Sequence, residues 1–326
     1  MRKYVALALK AAFTAAVLAW LLYRIGAATL VESVRNVPGK AIALAATLAA
    51  LQALLSAIRW HLILRYLGVA IAFTRSIQVY WIGLFAAALL PGGVAGDGLR
   101  IWVLVRSGTE LAPSINSVLL DRLAALAGLV LLAALGLPYV DDHIAPAHFR
   151  LTVAAALLAG LAVAFAVGLW ISMPERWLRV RAIRAIMGLF TDFRTLCKSR
   201  LRALDLIGLS VLSLMTGLFA FFVLFRSLGA QVSVIETVTL GSLVILALTL
   251  PISLGGWGLR EGTMVGLFGI IGVPPATSLA VSVVLGLLAT AISVPGLLFW
   301  MRRRRQSAGS DAEATSARIG VEGMKA

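Results

Sequence analysis

The sequence predicts an all-α integral membrane protein with about six full transmembrane helices and two opposed re-entrant helical hairpins. Hydrophobic residues make up 61% of the chain and charged residues only 13%, and the mean hydropathy is +0.98. Soluble domains carry about a quarter charged residues, so lipid must cover this apolar surface. Six apolar stretches are long enough to cross a bilayer, and two shorter ones end at proline–glycine breaks.

A membrane-spanning helix needs roughly 20 mostly apolar residues. The stretches that reach this length are 5–23, 41–64, 114–137, 151–172, 205–225 and 276–300. The first follows Arg2 and Lys3, as a secretory signal does, and a cleaved signal is the alternative. Lys10 interrupts the run, however, and the apolar residues continue to Tyr23, which favours an uncleaved first helix.

The distribution of basic residues predicts the orientation, because Lys and Arg collect in short cytoplasmic loops. The basic loop at 174–204 and the run Arg302–Arg305 are therefore placed in the cytoplasm, and the turn at 138–149, which lacks Lys and Arg, outside. This predicts a multi-pass protein of the bacterial inner membrane with both termini cytoplasmic. The basic residues of the first loop, 24–40, fit this scheme poorly, so a count that differs by one helix stays open.

The shorter apolar stretches predict the hairpins. Arg75 and Arg100 flank the stretch 77–90, and both fall on the cytoplasmic side, which a single crossing cannot achieve. A hairpin that enters from the cytoplasm and turns at Pro91-Gly92-Gly93 resolves the conflict. The same reasoning over 237–272 predicts a hairpin from the outside that turns between Pro251 and Gly258. Such broken backbone is tolerated at membrane depth only inside protein or beside a wet cavity.

The two breaks also resemble each other. One reads P-G-G-V-A-G-D-G-L-R (91–100) and the other P-I-S-L-G-G-W-G-L-R-E-G (251–262), about half a chain apart. Inverted repeats with broken helices near the bilayer centre recur in transporters. The similarity suggests an inverted repeat within a polytopic domain that covers 1–301.

Two further segments complete the domain organisation. Residues 175–204 alternate apolar and basic positions at helical spacing, which predicts a basic amphipathic helix at the cytoplasmic headgroup layer, where it would contact anionic lipid. A plain basic connector is the alternative. The polar tail, 302–326, is expected to be a disordered cytoplasmic segment.

Ionisable residues inside the hydrocarbon layer are costly and therefore mark candidate functional sites. Asp121 and Arg122 are adjacent on a predicted helix, so their side chains point about 100° apart and each needs another partner. We expect Asp121 to meet Arg100 or Arg260. We expect Arg122 to meet Asp97 or Glu261. The full set of such charges is Asp97, Arg100, Asp121, Arg122, Arg260 and Glu261, with Arg59 near the end of the second helix.

The glycines of both breaks suit the binding of a phosphate. Glycine permits tight turns and close backbone approach, and free N–H groups at helix starts together with an arginine fork bind phosphate oxygens. The candidate glycines are Gly92, Gly93, Gly96, Gly255, Gly256 and Gly258. The alternative is that the intramembrane charges only hold the helices together.

Three segments resemble one known family. L-L-P-G-G-V-A-G-D-G-L-R-I-W-V-L-V-R-S-G (89–108), S-V-L-L-D-R-L-A-A-L-A-G-L (117–129) and P-I-S-L-G-G-W-G-L-R-E-G (251–262) are similar, in the same order, to the flippase-like transmembrane domain of lysylphosphatidylglycerol synthases. The likeness covers roughly 5–301. It implies movement of aminoacylated phospholipid, or of other polar or polyprenol-linked lipids, between leaflets. The six glycines and the intramembrane charged residues named above, except Arg59, lie on the motif positions.

Two departures from the family qualify that expectation. Full-length synthases continue into a cytosolic aminoacyl-transferase domain, whereas this chain ends about 25 residues after its last predicted helix, so aminoacyl transfer from tRNA is not expected. Ala95 also stands where a glycine is common in the motif, which would make the first turn slightly stiffer.

The leading hypothesis is therefore a lipid translocase without enzymatic activity, whose partners are a phospholipid or another polar lipid. An integral-membrane enzyme acting on a lipid-linked substrate is one alternative, although no His, Cys or multi-Asp motif accompanies the carboxylates. An accessory subunit of a lipid-modifying enzyme is another. The net charge of +15 lies in loops beside apolar helices, so no nucleic acid is expected. Cys197 is the single cysteine and the three histidines are scattered, so neither a metal nor another cofactor is expected.

Overall fold

A computed structural model describes residues 2–89, 95–140, 146–170, 181–249 and 256–303. Within these ranges the chain forms α-helices and connecting turns, with no β-strand among the described residues. The helices are α1 (Arg2–Ile25), α2 (Ala27–Arg35), α3 (Gly39–Tyr66), α4 (Phe73–Leu89), α5 (Ala95–Val105), α6 (Leu111–Gly136), α7 (Ala147–Trp170), α8 (Arg181–Cys197), α9 (Arg200–Ser227), α10 (Val234–Leu248), α11 (Leu259–Ile270) and α12 (Pro275–Ser293). A short 3₁₀ turn follows α6, and after a turn at Val294 the chain is helical again over 295–303.

Five helical segments in the described chain are long and apolar enough to cross a membrane: Gly39–Tyr66, Leu111–Tyr139, Arg150–Trp170, Arg200–Ser227 and Pro275–Arg303. They confirm the all-α membrane class and coincide with five of the six predicted stretches. The sixth stretch, 5–23, lies in α1, which meets α2 at a bend of 84° and would add a span if the bent pair counts as one. The number of spans and the re-entrant path of the hairpins stay predictions.

The helix order repeats within the chain. Helices α3 to α6 contain 28, 17, 11 and 26 residues, and helices α9 to α12 contain 28, 15, 12 and 19. The ends of corresponding helices also match: Gly68 closes α3 and Gly229 closes α9, with φ angles of 78° and 79°. Only glycine adopts this left-handed conformation without strain, which makes it a common helix terminator. The resemblance between the two sequence breaks therefore extends to four consecutive helices.

The packing between the two halves is reciprocal. Helix α6 packs against α10 and α9, while its counterpart α12 packs against α4 and α3. Helices α3 and α9 form the most extensive contact among the described helices. Each helix of one half thus contacts the counterparts of the helices that its own counterpart contacts, as a twofold axis between the halves requires.

The corresponding helices α3 and α9 run in opposite directions. Tyr66 near the end of α3 donates a hydrogen bond to Asp205 near the start of α9, with 2.9 Å between Oη and Oδ2. Earlier in α3, Arg59 reaches Ser210, and Gln52 lies against Gly217. Along this contact the residue numbers on α3 decrease while those on α9 increase, so the two helices are antiparallel. The predicted inverted repeat is present in the helix arrangement.

Each sequence break separates two packed helices. Helices α4 and α5 pack closely through Gly83 and Gly96, where a Cβ on Gly83 would lie 2.6 Å from the Arg100 side chain. Helices α10 and α11 form the equivalent pair. Both segments are thus helix–break–helix units, while the predicted turns at 91–93 and 251–255 lie outside the described residues.

Helix α8 corresponds to the predicted basic amphipathic helix. It covers Arg181–Cys197, and it packs against α6, α7 and α9. Phe193 lies edge-on to Phe165 of α7, with 5.2 Å between ring centroids, and Asn116 of α6 donates to Asp192 at 2.7 Å. The apolar positions of α8 therefore attach it to the bundle. Its contact with anionic lipid stays a prediction, and the tail from residue 304 lies outside the described residues.

Candidate functional site

A buried ionic network links three helices of the first half. The Asp121 carboxylate of α6 accepts a hydrogen bond from Arg59 Nε of α3 at 3.0 Å and one from Arg100 Nη2 of α5 at 3.1 Å. All three side chains are at most 5% exposed. Arg59 also donates to Ser210 of α9 at 3.2 Å. A carboxylate between two guanidiniums thus ties α3, α5 and α6 together.

A second ion pair lies at the open side of this network. Arg122 donates from Nε and Nη2 to the two carboxylate oxygens of Asp97, at 2.9 and 3.0 Å. The Arg122 side chain is 58% exposed and that of Asp97 is 15% exposed. Arg100 Nη1 lies 3.6 Å from the same carboxylate. The fork geometry is specific, yet water or a ligand can reach the arginine.

The Arg100 guanidinium is enclosed by aromatic rings. It lies 4.1 Å from the ring centroid of Trp60 and 4.6 Å from that of Tyr80. Its Nε atom is buried and has no hydrogen-bond acceptor among the described residues. The absence of a side chain at Gly83 leaves room for the stem of Arg100. Burial among rings favours a delocalised, weakly hydrated cation, which explains why an arginine suits this position.

These charges line a cavity of about 180 Å³ between α3, α4, α5, α6 and α9. Asp121 lies ten residues after the start of α6, and Ser210 lies ten residues after the start of α9. At 1.5 Å per residue the network is about 15 Å from these helix ends, which is half the thickness of the hydrocarbon layer. Other polar side chains at the cavity belong to Gln52, Ser56, Tyr80 and Ser213.

The cavity carries an excess of positive charge. Arg59, Arg100 and Arg122 supply three guanidiniums, whereas Asp97 and Asp121 supply two carboxylates. Burying unbalanced charge is expensive unless a partner compensates it. An anionic group that enters the cavity would complete the balance.

The second half contains a closed counterpart. Arg260 and Arg100 are 160 positions apart, and Arg260 reaches forward to Ser282 of α12 as Arg100 reaches forward to Asp121 of α6. Its carboxylate partner is the neighbouring Glu261, at 2.8 Å from Nη2, and its guanidinium lies 4.8 Å from the Trp257 ring centroid. The pair is therefore neutral and local.

Glu261 has no free oxygen. Its Oε1 accepts from Arg260 and from Ser282, and its Oε2 accepts from the Gly258 N–H at 2.6 Å. The side chain is fully buried. Gly256 and Gly258 have φ angles of 83° and 82°, so the chain enters α11 through a conformation that glycine adopts without strain. This centre fixes the start of α11 against α12.

The structure thus assembles some predicted residues and separates others. The expected pairs of Asp121 with Arg100 and of Arg122 with Asp97 are present. The expected convergence of both hairpins on one cluster is not: in the described chain the side chains of Arg260 and Glu261 bond only within the second half. The described chain contains two separate ionic centres where the sequence predicted one cluster, because Glu261 neutralises its neighbour Arg260. Gly92, Gly93 and Gly255 lie outside the described residues.

Sequence reasoning left several cavity residues out of the site. Arg59 was noted as an intramembrane charge but not placed in the site, although it is one of the two partners of Asp121. The signal available in the sequence is a charged residue within the long apolar stretch 41–64. Gln52, Ser210 and Ser213 gave no such signal, because single polar residues in apolar helices are common at helix–helix contacts.

Together, the helix arrangement and the polar centre define a multi-pass membrane protein built on an inverted repeat. The chain belongs to the family described as the lysylphosphatidylglycerol synthase TM region, which it matches over residues 7–296. It is also similar to a UPF0104 membrane protein of Methanothermobacter thermautotrophicus, with 25% identity over 275 residues that cover 74% of this chain and 77% of the relative. The resemblance read from the three sequence motifs is thereby confirmed.

Proposed function

We propose that this protein is a lipid translocase that moves a phosphate-bearing polar lipid between the two leaflets of its membrane. The observation that supports it is the cavity of Arg59, Asp97, Arg100, Asp121 and Arg122, which is polar, net positive and about 15 Å from the starts of α6 and α9. A lipid headgroup that crosses a bilayer needs partners there, since hydrocarbon offers none. The family match is consistent with a role in membrane lipid chemistry.

The exposed ion pair between Asp97 and Arg122 is where a headgroup would first bind in the cavity. A phosphate oxygen pair matches the fork of Arg122 as the Asp97 carboxylate does, so a headgroup can displace Asp97 from that arginine. Asp97 then becomes available to a hydroxyl or ammonium group of the same headgroup. The Arg59–Asp121–Arg100 network holds the cavity floor in place during this exchange.

Translocation can be measured on the purified protein in vesicles. Fluorescent analogues of phosphatidylglycerol and phosphatidylethanolamine are placed in both leaflets, and a membrane-impermeant quencher reports the fraction that reaches the outer leaflet. We expect the wild type to accelerate this exchange over protein-free vesicles, with lipids recovered chemically unchanged. Arg122→Gln should slow it about ten- to hundred-fold, since charge-assisted hydrogen bonds contribute about 1.5–3 kcal/mol.

Arg226→Gln is the matched control, because Arg226 is an exposed arginine at the end of α9 that bonds only to Gln231 among the described residues. That variant should translocate like the wild type. Equal rates for the wild type and protein-free vesicles with both lipids would refute the proposal. A chemically altered lipid would instead support an enzyme.

A further inference from the structure

We propose that the same bundle has a second anion site, at the helix ends, that binds the phosphodiester headgroup of an anionic phospholipid. It is built from Arg75 at the start of α4 and from Arg302 and Arg303 at the end of the last helical segment. This site goes beyond the proposed translocation cavity and shares no residue with it.

Three arginines line one cavity of about 190 Å³. In the described chain no carboxylate lies within 4.0 Å of Arg75, Arg302 or Arg303. Arg106 lies near enough for its charge, with that of Arg75, to oppose the charge of Arg303. Like charges gathered without an acidic partner repel one another and require a counterion.

One arginine is held rigidly in this arrangement. Arg303 Nη2 donates to the Val103 carbonyl oxygen at 3.2 Å and to Ser107 Oγ at 3.0 Å, both near the end of α5. Close by, the Trp300 ring lies 5.6 Å from that of Trp102 between centroids, and the Arg106 guanidinium lies 4.8 Å from the Trp102 centroid. These contacts fix the cation at the edge of the cavity. Arg303 Nε and Nη1 make no hydrogen bond to a described residue, so they are available to an anion.

Arg75 and Arg302, unlike Arg303, have no side-chain partner among the residues that the structure describes. No side-chain hydrogen bond of Arg75 or Arg302 is made to any described residue, although both line the cavity beside Gln78. The Gln78 amide adds a polar donor, and a second cavity of about 480 Å³, lined by Arg75, Gln78, Ser107 and Thr109, adjoins on the other side. Several donors thus face one space in which the described chain places no carboxylate within 4.0 Å of the three arginines.

The surroundings select a lipid over a free anion. Val79, Ile82 and Phe299 line the same cavity, so the cationic end continues into an apolar wall. The site also lies at the ends of membrane-length helices, where headgroups are found. Basic pockets between transmembrane helices at this depth bind anionic headgroups. A phospholipid satisfies both features, because its phosphodiester can lie among the arginines while its acyl chains follow the apolar wall.

Binding can be measured on the full-length protein in detergent with short-chain lipids. The probes are dioctanoyl phosphatidylglycerol, dioctanoyl phosphatidylcholine and inorganic phosphate, titrated by microscale thermophoresis at low and high salt. We expect saturable binding of phosphatidylglycerol that weakens with salt, and at least ten-fold weaker binding of the other two. Tight phosphate binding would overturn the lipid assignment and leave a site for free anions.

The variants are Arg75→Gln and Arg302→Gln, chosen because neither side chain holds a hydrogen bond in the described structure. Each should raise the Kd for phosphatidylglycerol about five-fold, and the pair about twenty-five-fold. Arg226→Gln removes one exposed charge at the end of α9, outside both this site and the basic segment 175–204, and should leave the Kd unchanged. If the double variant binds like the wild type, or if Arg226→Gln weakens binding equally, the site is refuted whatever the translocation assay gives.

Discussion

Replacing Asp121 with asparagine tests whether the buried network holds the bundle together. The carboxylate neutralises Arg59 and Arg100 at 3.0 and 3.1 Å, and all three side chains are at most 5% exposed. Asparagine keeps the shape but leaves the buried Arg59 without a counter-charge and Arg100 with only the Asp97 carboxylate, at 3.6 Å. Removal of one partner from a buried pair costs about 3–5 kcal/mol. We therefore expect Asp121→Asn to lower the free energy of unfolding by about this amount.

Asp97→Asn is the matched control. It removes a carboxylate of the same cavity, but its main partner Arg122 is 58% exposed, so solvent replaces the lost bonds. An exposed ion pair contributes about 1 kcal/mol or less. The expected ranking is a large loss for Asp121→Asn and a small one for Asp97→Asn.

The assay is reversible unfolding in mixed micelles of a non-ionic detergent and dodecyl sulfate, followed by tryptophan fluorescence from the eight tryptophans. The double variant Arg59→Gln/Asp121→Asn completes a cycle and should cost about 1–3 kcal/mol less than the sum of its single variants. Equal losses for Asp121→Asn and Asp97→Asn, together with strict additivity in the cycle, would refute the structural role of the network.

Three further outcomes follow from the same packing. Gly96→Ala should lower the free energy of unfolding by about 1–3 kcal/mol and slow translocation. The added Cβ would lie 2.9 Å from Ala87 Cβ and closer still to the Gly83 carbonyl oxygen. Gly98→Ala on the same helix is the control, because a Cβ there meets open space, and it should be neutral or stabilising in the unfolding assay. Glu261→Gln should lower the free energy of unfolding by about 3–5 kcal/mol, since it leaves Arg260 without a counter-charge in a closed site; a loss no larger than that of Asp97→Asn would contradict this. Burial raises the pKa of the Cys197 thiol above its usual value of 9.0, so less thiolate is present at neutral pH and maleimide labelling should be slow at pH 7.5 and still rising above pH 9. The reference is Thr191→Cys in a Cys197→Ser background, at an exposed position of the same helix, and equal rates at pH 7.5 would contradict the prediction.

Much of the fold could be predicted because lipid imposes simple rules. Apolar length predicted five spans that the structure contains, and the adjacency of Asp121 and Arg122 correctly required separate partners. The likeness of the two glycine breaks correctly indicated an inverted repeat. These features depend on local composition and helical spacing, which one sequence displays directly.

The number of ionic centres could not be predicted from the same information. Whether Arg260 meets Asp121 or its neighbour Glu261 depends on the distance between α11 and α6, which no local pattern encodes. The contribution of Arg59 likewise depends on the antiparallel register of α3 and α9, which places it beside Asp121 and Ser210. The partners of the buried arginines therefore depend on how the helices are aligned in the tertiary structure, which the composition of one sequence does not show.

The difference between the two halves follows from a few substitutions in an otherwise repeated plan. Glu261 of the second half corresponds to Ile101 in the first, so Arg100 has no carboxylate beside it in sequence and must reach Asp121 on another helix.

Asp97 corresponds to Trp257, and Arg59 on α3 corresponds to the buried Ala220 on α9. The first half thus has charges on three helices around a cavity, while the second has one neutral pair within α11 that is hydrogen-bonded to Ser282 of α12. In the proposed function, a headgroup that enters the first centre exchanges the Asp97–Arg122 contact between α5 and α6, whereas the second centre stays internally satisfied. On that proposal the first half is the part of the repeat that responds to a ligand, and the second half is the part that stays fixed.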